Sequence, residues 1–293
     1  VGGACAIHFA LLAILEPGEE VIIPDPGFVT YAPCTLLAGG KPVYAPVKEE
    51  NEFRLKAEDV EPLITEKTKC IMLNSPQNPT GGVQTKKDLE EIADLAEAYD
   101  LYVISDEVYE KLLYDGAQHH SIASLPGMFE RTITVNSFSK TYAMTGWRLG
   151  YLVAPEHIAS EVVKIQQNTI ACPPSFAQIA AIDALKGSHQ HVDDMVKRYD
   201  QNRRIIVDRL NKLGVVRCVP PKGAFYAFPN ISGLGMSSAE FAEQLLEKKG
   251  VAVVPGAAFG QRGEGYVRMC FAQQKAVVEE AVERICEFVE EHS

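Results

Sequence analysis

Residues 134–151, with the sequence TVNSFSKTYAMTGWRLGY, place a single lysine among side chains that carry small hydroxyl groups. Lys140 lies just after a strand-like run, and Arg148 follows within the same stretch. An isolated lysine is usually a solvated loop residue, because a buried ammonium group needs a partner. A neutral lysine amine, by contrast, is a nucleophile for carbonyl compounds. The polar residues elsewhere in the chain decide between these two interpretations.

Further polar and aromatic residues follow other strand-like runs. Asn78 lies in the run SPQNPTGG after one of them, and Asp106 and Tyr109 follow the next. Phe28 comes shortly after the first predicted strand. In open α/β sheets, ligands bind beyond the carboxyl ends of the strands. We therefore expect an amide, a carboxylate, a phenol and an aromatic ring close to the lysine.

This set of groups suits pyridoxal 5′-phosphate. Lys140 supplies an amine that can bond to the cofactor aldehyde. Asp106 can hold the pyridine nitrogen protonated, which makes the ring an electron sink. Phe28 can stack on the ring, and Asn78 and Tyr109 can donate hydrogen bonds to O3′. The predicted donors to the phosphate are Ser137, Ser139, Arg148 and the free N–H groups of Gly3 and Ala4 at the start of the first helix.

Each of these residues also has a structural interpretation that stays open at this point. Asn78, in an NPTG run, is a good turn residue. Asp106 and Glu107 could begin a helix, and Phe28 could belong to the core. The occurrence of the whole set in this order favours the cofactor site.

The elements that would position these residues alternate between strands and helices. Helices are predicted over residues 4–15 and 57–65, and Thr85 with Asp88 forms a capping box for a third helix. This alternation favours a mostly parallel sheet covered by helices. The predicted strands cover residues 21–24, 42–46, 70–74, 101–105, 132–136 and 149–154.

Beyond about residue 170, long helical patterns dominate and only short strands lie between them. We predict a large cofactor-binding α/β domain over residues 1–175 and a smaller C-terminal α+β domain over residues 176–293, which share the helix at their boundary. The predicted helices and strands of this second part are residues 176–186, 191–213 and 239–249, and residues 224–228, 251–254 and 266–271, respectively.

Composition excludes several classes of function. The net charge is −11 and no basic block is present, which argues against a nucleic-acid partner. No segment has the ~18 apolar residues that a membrane helix requires. The seven cysteines are scattered without a CxxC pair, which is typical of reduced thiols in the cytoplasm. No metal-binding motif is present, and His119 and His120 are predicted to lie in a polar loop without a function.

Longer motifs add a resemblance that covers nearly the whole chain. The motifs that carry it are GGACAI, EPGEEVIIPDPGFVTY, NSPQNPTGG, SDEVYE, SFSKTYAMTGWRLGY, KGAFYAFP, VAVVPGAAFG and GEGYVRMCFA. With these motifs the chain resembles fold-type-I pyridoxal-phosphate enzymes of the class I/II aminotransferase family, and the run SIASLPGMFERTITVNSFSKTYAMTGWRLGY is especially similar to archaeal aromatic aminotransferases.

The resemblance implies roles, partners and a reaction. Lys140 would be the Schiff-base lysine and the general acid/base, with Asp106 at the pyridine nitrogen and Asn78 and Tyr109 beside O3′. Arg268, in YVRMCFA, would bind the substrate α-carboxylate with help from Asn78. The family also implies a homodimer with its active sites at the interface, and a longer N-terminal arm than this sequence contains. The expected reaction is ping-pong transfer of an amino group in amino-acid metabolism.

The substrate is predicted from the distal end of the site. Many aspartate aminotransferases of the family look like GGK where this chain has Gly2-Gly3-Ala4, and Ala4 cannot pair with a distal carboxylate. Phe28 and Tyr31 are expected to offer aromatic surface instead. We therefore expect tyrosine or phenylalanine as donor and 2-oxoglutarate as acceptor. Alternatives are an aspartate aminotransferase, a C–S lyase or decarboxylase on the same scaffold, and a non-catalytic sensor domain.

Overall fold

The computed structural model describes residues 1–293, and a six-stranded sheet organises the first half of the chain. Its strands are β1 (Glu20–Asp25), β2 (Lys41–Pro46), β3 (Thr68–Asn74), β4 (Tyr102–Asp106), β5 (Thr132–Ser137) and β6 (Gly150–Val153). They lie in the order β2-β1-β3-β4-β5-β6, in which only β6 is antiparallel to its neighbour. The prediction of a mostly parallel sheet is confirmed, and the carboxyl ends of β1 to β5 lie at one edge.

Helices cover both faces of this sheet. Successive strand residues point to opposite faces, so Ile22 and Ile71 pack with Ile92 on one side. Ile23 and Met72 belong to the cluster on the other side. The helices of this part are α1 (Gly3–Ile14), α2 (Tyr31–Leu37), α3 (Ala57–Val60), α4 (Lys86–Ala98), α5 (Phe138–Thr141) and α6 (Glu156–Thr169).

A second, three-stranded antiparallel sheet lies in the C-terminal part, with the order β7-β9-β8. Its strands and the helices around it are β7 (Tyr226–Ala227), β8 (Val254–Pro255), β9 (Val267–Cys270), α7 (Ser175–Lys186), α8 (Gln190–Asn211), α9 (Ser238–Lys249) and α10 (Lys275–Glu290). A separate core of 20 buried residues joins β9 to α8, α9 and α10. Ala181 of α7, however, packs against Phe138 and Leu149 of the first part.

Several predicted elements differ from those observed. The predicted helix 57–65 is wrong beyond Val60, where a 3₁₀ turn (Glu61–Leu63) follows because Pro62 has no N–H to continue an α-helix. The strand predicted over residues 251–254 is reduced to β8. Neither α2 nor α6 was predicted. The capping box of Thr85 and Asp88 is confirmed at the start of α4. None of the helices is both long and apolar enough to cross a membrane.

Candidate active site

A cavity of about 210 Å³ lies at the edge where the parallel strands end. The residues predicted to bind the cofactor and the α-carboxylate all line it: Gly3, Ala4, Phe28, Asn78, Asp106, Tyr109, Ser137, Ser139, Lys140, Arg148 and Arg268. The lining is completed by Ile7, Asn74, Val108, Thr145 and Tyr226. A larger cavity of about 430 Å³ lies between β9 and α10, is mostly apolar, and contains none of the predicted site residues.

Lys140 is held by a short helix that begins where β5 ends. The Ser137 side chain accepts a hydrogen bond from the Ser139 N–H at 3.2 Å, and this cap starts α5. The Lys140 ammonium nitrogen lies 5.7 Å from the centre of the Tyr109 ring and 5.4 Å from that of Phe225. The amine therefore lies close to two aromatic rings.

The surroundings of Lys140 lower the pKa of its amine. Burial is the largest cause, while Cys270 and Asp106 act in the opposite direction. The cationic groups of Arg268 and Arg148 add to the lowering. A lower pKa increases the neutral, nucleophilic fraction of a lysine at physiological pH. These surroundings favour a neutral amine over a solvated loop lysine at this position.

Asp106 is a fully buried carboxylate at the end of β4. Burial raises its pKa to about 6, although a hydrogen bond from Tyr31 acts against this rise. The Tyr31 hydroxyl donates to Asp106 Oδ2 at 2.7 Å, and the Val108 N–H lies 3.4 Å from Oδ1. These donors are neutral, and Asp106 forms no ion pair within the chain. A cation placed against it would favour the ionised carboxylate.

Tyr31 corrects one expectation drawn from the sequence. It was expected to provide aromatic surface for the substrate, but it is 1% exposed and does not line the cavity. The unpredicted helix α2 begins at Tyr31 and turns its side chain inward. There it packs edge-on against Phe28, with ring centres 5.5 Å apart, and bonds to Asp106. Tyr31 thus contacts Asp106 from outside the cavity, and sequence reasoning missed this contact.

Arg268 reaches the cavity from β9 and meets a residue of the large sheet. Its Nη1 donates to Asn78 Oδ1 at 3.1 Å. The guanidinium group lies over the rings of Tyr226 and Phe259, 4.5 and 4.8 Å from their centres. Its Nε is buried without a hydrogen-bond partner. The planar group is therefore oriented, and donors remain for a carboxylate.

Tyr226 and Phe225 belong to the site although they were given no role from the sequence. The hydroxyl groups of Tyr226 and Tyr109 are 3.2 Å apart, and the Phe225 ring lies over Lys140. Both residues occur in the motif KGAFYAFP. A cluster of aromatic residues in that motif was the available signal, but spacing alone could not place it beside a lysine on α5.

The start of α1 and the segment around Arg148 form a region rich in donors. No side chain caps α1, so its first N–H groups are free. Arg148 has a φ of 54°, and its Nη1 donates to the Thr145 carbonyl at 3.0 Å. A Cβ at Gly2 would lie 2.8 Å from Arg148 Nη2, so glycine permits the close approach of this arginine. This is a suitable place for a phosphate dianion.

The residues present fit pyridoxal 5′-phosphate. A lysine with a lowered pKa, a buried carboxylate without an ion-pair partner, and a helix start beside an arginine line one cavity. These are the groups that the cofactor's aldehyde, pyridinium nitrogen and phosphate require.

Comparisons with known proteins agree with this chemistry. A family model described as aminotransferase class I and II matches residues 1–285. An aspartate aminotransferase of Pyrococcus abyssi is 55% identical over 97% of this chain and 74% of its own length. The aromatic-amino-acid aminotransferase 2 of Thermococcus litoralis is 52% identical over the same shares. The crystal structure of an aromatic aminotransferase from Pyrococcus horikoshii, 53% identical, superposes with a TM-score of 0.97 over 99% of this chain and 78% of that one.

Proposed function

Since this chain belongs to the class I and II aminotransferase family, we propose that it transfers the amino group of an aromatic amino acid to 2-oxoglutarate. The protein is a pyridoxal-phosphate-dependent aminotransferase with the fold-type-I architecture. What we propose is the identity of the amino donor and of the amino acceptor, and the role of each residue in the site. The observation that carries it is the single cavity in which Lys140, Asp106 and Arg268 lie together.

Each part of the cofactor has a matching group in the cavity. Bound pyridoxal 5′-phosphate supplies an electron-withdrawing ring that stabilises negative charge at the substrate Cα. Lys140 would hold the aldehyde carbon and Asp106 the ring nitrogen. Phe28 would lie against the ring face, with Asn78 and Tyr109 beside O3′. The phosphate would be bound by Ser137, Ser139, Arg148 and the N–H groups of Gly3 and Ala4.

Lys140 is also the proposed acid/base. Its lowered pKa allows the neutral amine to accept the proton of the substrate Cα and, once protonated, to return it. Arg268 and Asn78 would hold the α-carboxylate so that this proton faces Lys140. The amino donor and the keto-acid acceptor would use the same carboxylate site in turn. The keto acid formed from the donor must therefore leave before the acceptor enters, which is a ping-pong order.

The aromatic donor is supported by the charges around the cavity. The cationic side chains of the lining are Lys140, Arg148 and Arg268, and each already has a proposed partner. Ala4 adds no charge, so the distal carboxylate of aspartate would have no ion-pair partner within this lining. Phe28 and Tyr226 offer aromatic surface for a ring. The acceptor 2-oxoglutarate carries a distal carboxylate too, which a water molecule or a residue outside this lining would have to bind.

Aspartate is the second candidate donor, because the relative from Pyrococcus abyssi is named an aspartate aminotransferase. The test is kcat/KM for tyrosine, phenylalanine and aspartate, each with 2-oxoglutarate as acceptor. We expect both aromatic donors to exceed aspartate. A clear preference for aspartate would overturn the argument from Ala4. A product that has lost its sulfur group or its carboxylate would indicate a lyase or decarboxylase, and binding without turnover would indicate a sensor.

We also propose a cytoplasmic homodimer with the domain division at residue 175. Apolar side chains along α7, among them Phe176, Ile179 and Leu185, are exposed in the single chain, which supports an interface at this helix. All seven cysteines are free thiols, as is usual in a reducing compartment. Sedimentation velocity of the protein tests the dimer, and an Ile179→Glu variant should shift it to the monomer.

A further inference from the structure

We propose that Glu107 and His119 form a positioning pair that sets the charge and the orientation of Asp106. Glu107 follows Asp106 directly, and the two side chains leave the strand on opposite faces. Asp106 lines the cavity, whereas Glu107 lies behind it and is 3% exposed. The proposal rests on the role of Asp106 described above and extends it to residues outside the cavity.

Three donors hold the Glu107 carboxylate. The hydroxyl groups of Ser105 and Ser121 donate to Oε1 at 2.9 and 2.8 Å. His119 Nε2 donates to Oε2 at 2.9 Å, and the His119 side chain is 13% exposed. A buried carboxylate is tolerated only when its oxygens are satisfied in this way. His119, which was predicted to lie in a loop without a function, is therefore part of a buried network.

The same network fixes the backbone that carries Asp106. The Asp106 carbonyl accepts hydrogen bonds from the Ser75 N–H at 3.2 Å and from Asn74 Nδ2 at 3.0 Å. The Glu107 N–H donates to the Val135 carbonyl at 2.9 Å. Glu107 anchors this peptide from the far side of the strand. The Asp106 carboxylate is thus constrained by contacts on both faces of the sheet.

Glu107 also acts on Asp106 through its charge. Burial is the largest cause of the raised pKa of Asp106; the hydrogen bond from Tyr31 lowers this pKa, the carboxylate of Glu107 raises it further, and the charge of Lys140 lowers it. Hydrogen-bond donors aimed at Glu107 reduce the negative potential that reaches Asp106. The titratable and charged groups that surround the two carboxylates are Tyr31, Tyr109 and Lys140 around Asp106, and His119, Glu110 and Tyr151 around Glu107.

The test measures the affinity of the apo-protein for pyridoxamine 5′-phosphate between pH 5 and pH 8. This ligand contains the ring nitrogen and the phosphate but forms no bond to Lys140, so its affinity reports on Asp106. Protonation of Asp106 weakens the contact with the ring nitrogen, and the affinity falls toward acid pH. Glu107→Gln keeps the shape and removes the charge, so the midpoint of this fall should move down by about one pH unit.

Substitution of His119 should have the opposite effect. His119→Phe removes a donor from Glu107 and should move the midpoint up. His119→Gln retains a donor to Glu107 and should return the midpoint to the wild-type value. A loss of packing alone would not explain such a return. Glu110→Gln is the matched control, because Glu110 neighbours His119 but is not among the groups that shift Asp106. It should leave the midpoint in place.

Two results would overturn the inference. One is a midpoint in Glu107→Gln equal to that of the wild type, and the other is an equal shift in Glu107→Gln and Glu110→Gln. Asp106→Asn separates this failure from a failure of the proposed function. If the fall in Asp106→Asn has the same size and midpoint as in the wild type, the role of Asp106 is wrong. If the fall is smaller there, with only the part due to the ligand's phosphate left, but Glu107→Gln has no effect, only the positioning pair is rejected.

Discussion

Tyr31 and Asp106 lie 75 positions apart in the sequence, and the Tyr31 hydroxyl donates a 2.7 Å hydrogen bond to Asp106 Oδ2. This bond joins the first residue of α2 to the last residue of β4. A hydrogen bond to the ionised form opposes the effect of burial on the pKa of the carboxyl group. The supporting residue of the proposed acid is therefore a phenol outside the cavity.

Removal of the Tyr31 hydroxyl should raise the pKa of Asp106. The value is about 6 with the hydrogen bond in place. Tyr31→Phe keeps the ring but loses the donor, and we expect a rise of about one pH unit. A carboxyl-labelled NMR titration of the apo-protein measures it. Tyr44→Phe, at a half-exposed tyrosine, should leave the titration unchanged. An unshifted Asp106 in Tyr31→Phe would show that the bond has no electrostatic role.

Asp106 should destabilise the apo-protein at neutral pH. Its pKa in the folded chain, about 6, exceeds the ordinary value of 3.8, so between these values the folded state binds more protons than the unfolded state. The free energy of unfolding should then fall as pH rises from about 4 to about 6. Asp106→Asn should remove this dependence and be more stable at pH 7.5 by about 3 kcal/mol. Urea unfolding of the wild type and of Asp106→Asn at about pH 4 and at pH 7.5 measures how the free energy of unfolding changes with pH. Identical pH profiles for the two proteins would contradict the prediction.

Borohydride should link the cofactor to Lys140 and to no other lysine. The resting holoenzyme should absorb visible light because of the bond between cofactor and amine. Lys140→Ala should lose the covalent link, and turnover should fall by about four powers of ten, since nucleophile and proton carrier are lost together. Lys164→Ala, at an exposed position of α6, is the control. Peptide mapping identifies the modified residue, and a label on a different lysine would reject the assignment.

Arg268→Lys should weaken substrate binding more than turnover. The substitution replaces a planar fork, stacked between Tyr226 and Phe259, with a point charge. We expect KM for the amino donor to rise by about tenfold or more. Arg198→Lys, on the exposed face of α8, should retain the wild-type constants. Steady-state kinetics with varied donor test this, and unchanged KM and kcat would show that Arg268 does not bind the α-carboxylate.

The sequence by itself was enough to predict which polar residues lie at the carboxyl ends of the parallel strands. Asp106 ends β4, Asn78 and Lys140 follow β3 and β5, and the carboxyl ends of parallel strands meet at one edge of a sheet. Strand order along the chain was therefore enough to predict that they would line one cavity. The family motifs extended this to Arg268, whose position no strand pattern could supply.

The tertiary structure alone decided which groups support that set. Tyr31 turns inward because a short helix begins there, and a pattern of seven residues, YAPCTLL, is too short to show helical periodicity. The contact of His119 with Glu107 and that of Arg268 with Tyr226 join residues from separate elements. Such contacts depend on how loops and sheets pack in three dimensions. Local propensity and residue spacing could not predict these contacts, because both describe only residues that are neighbours along the chain.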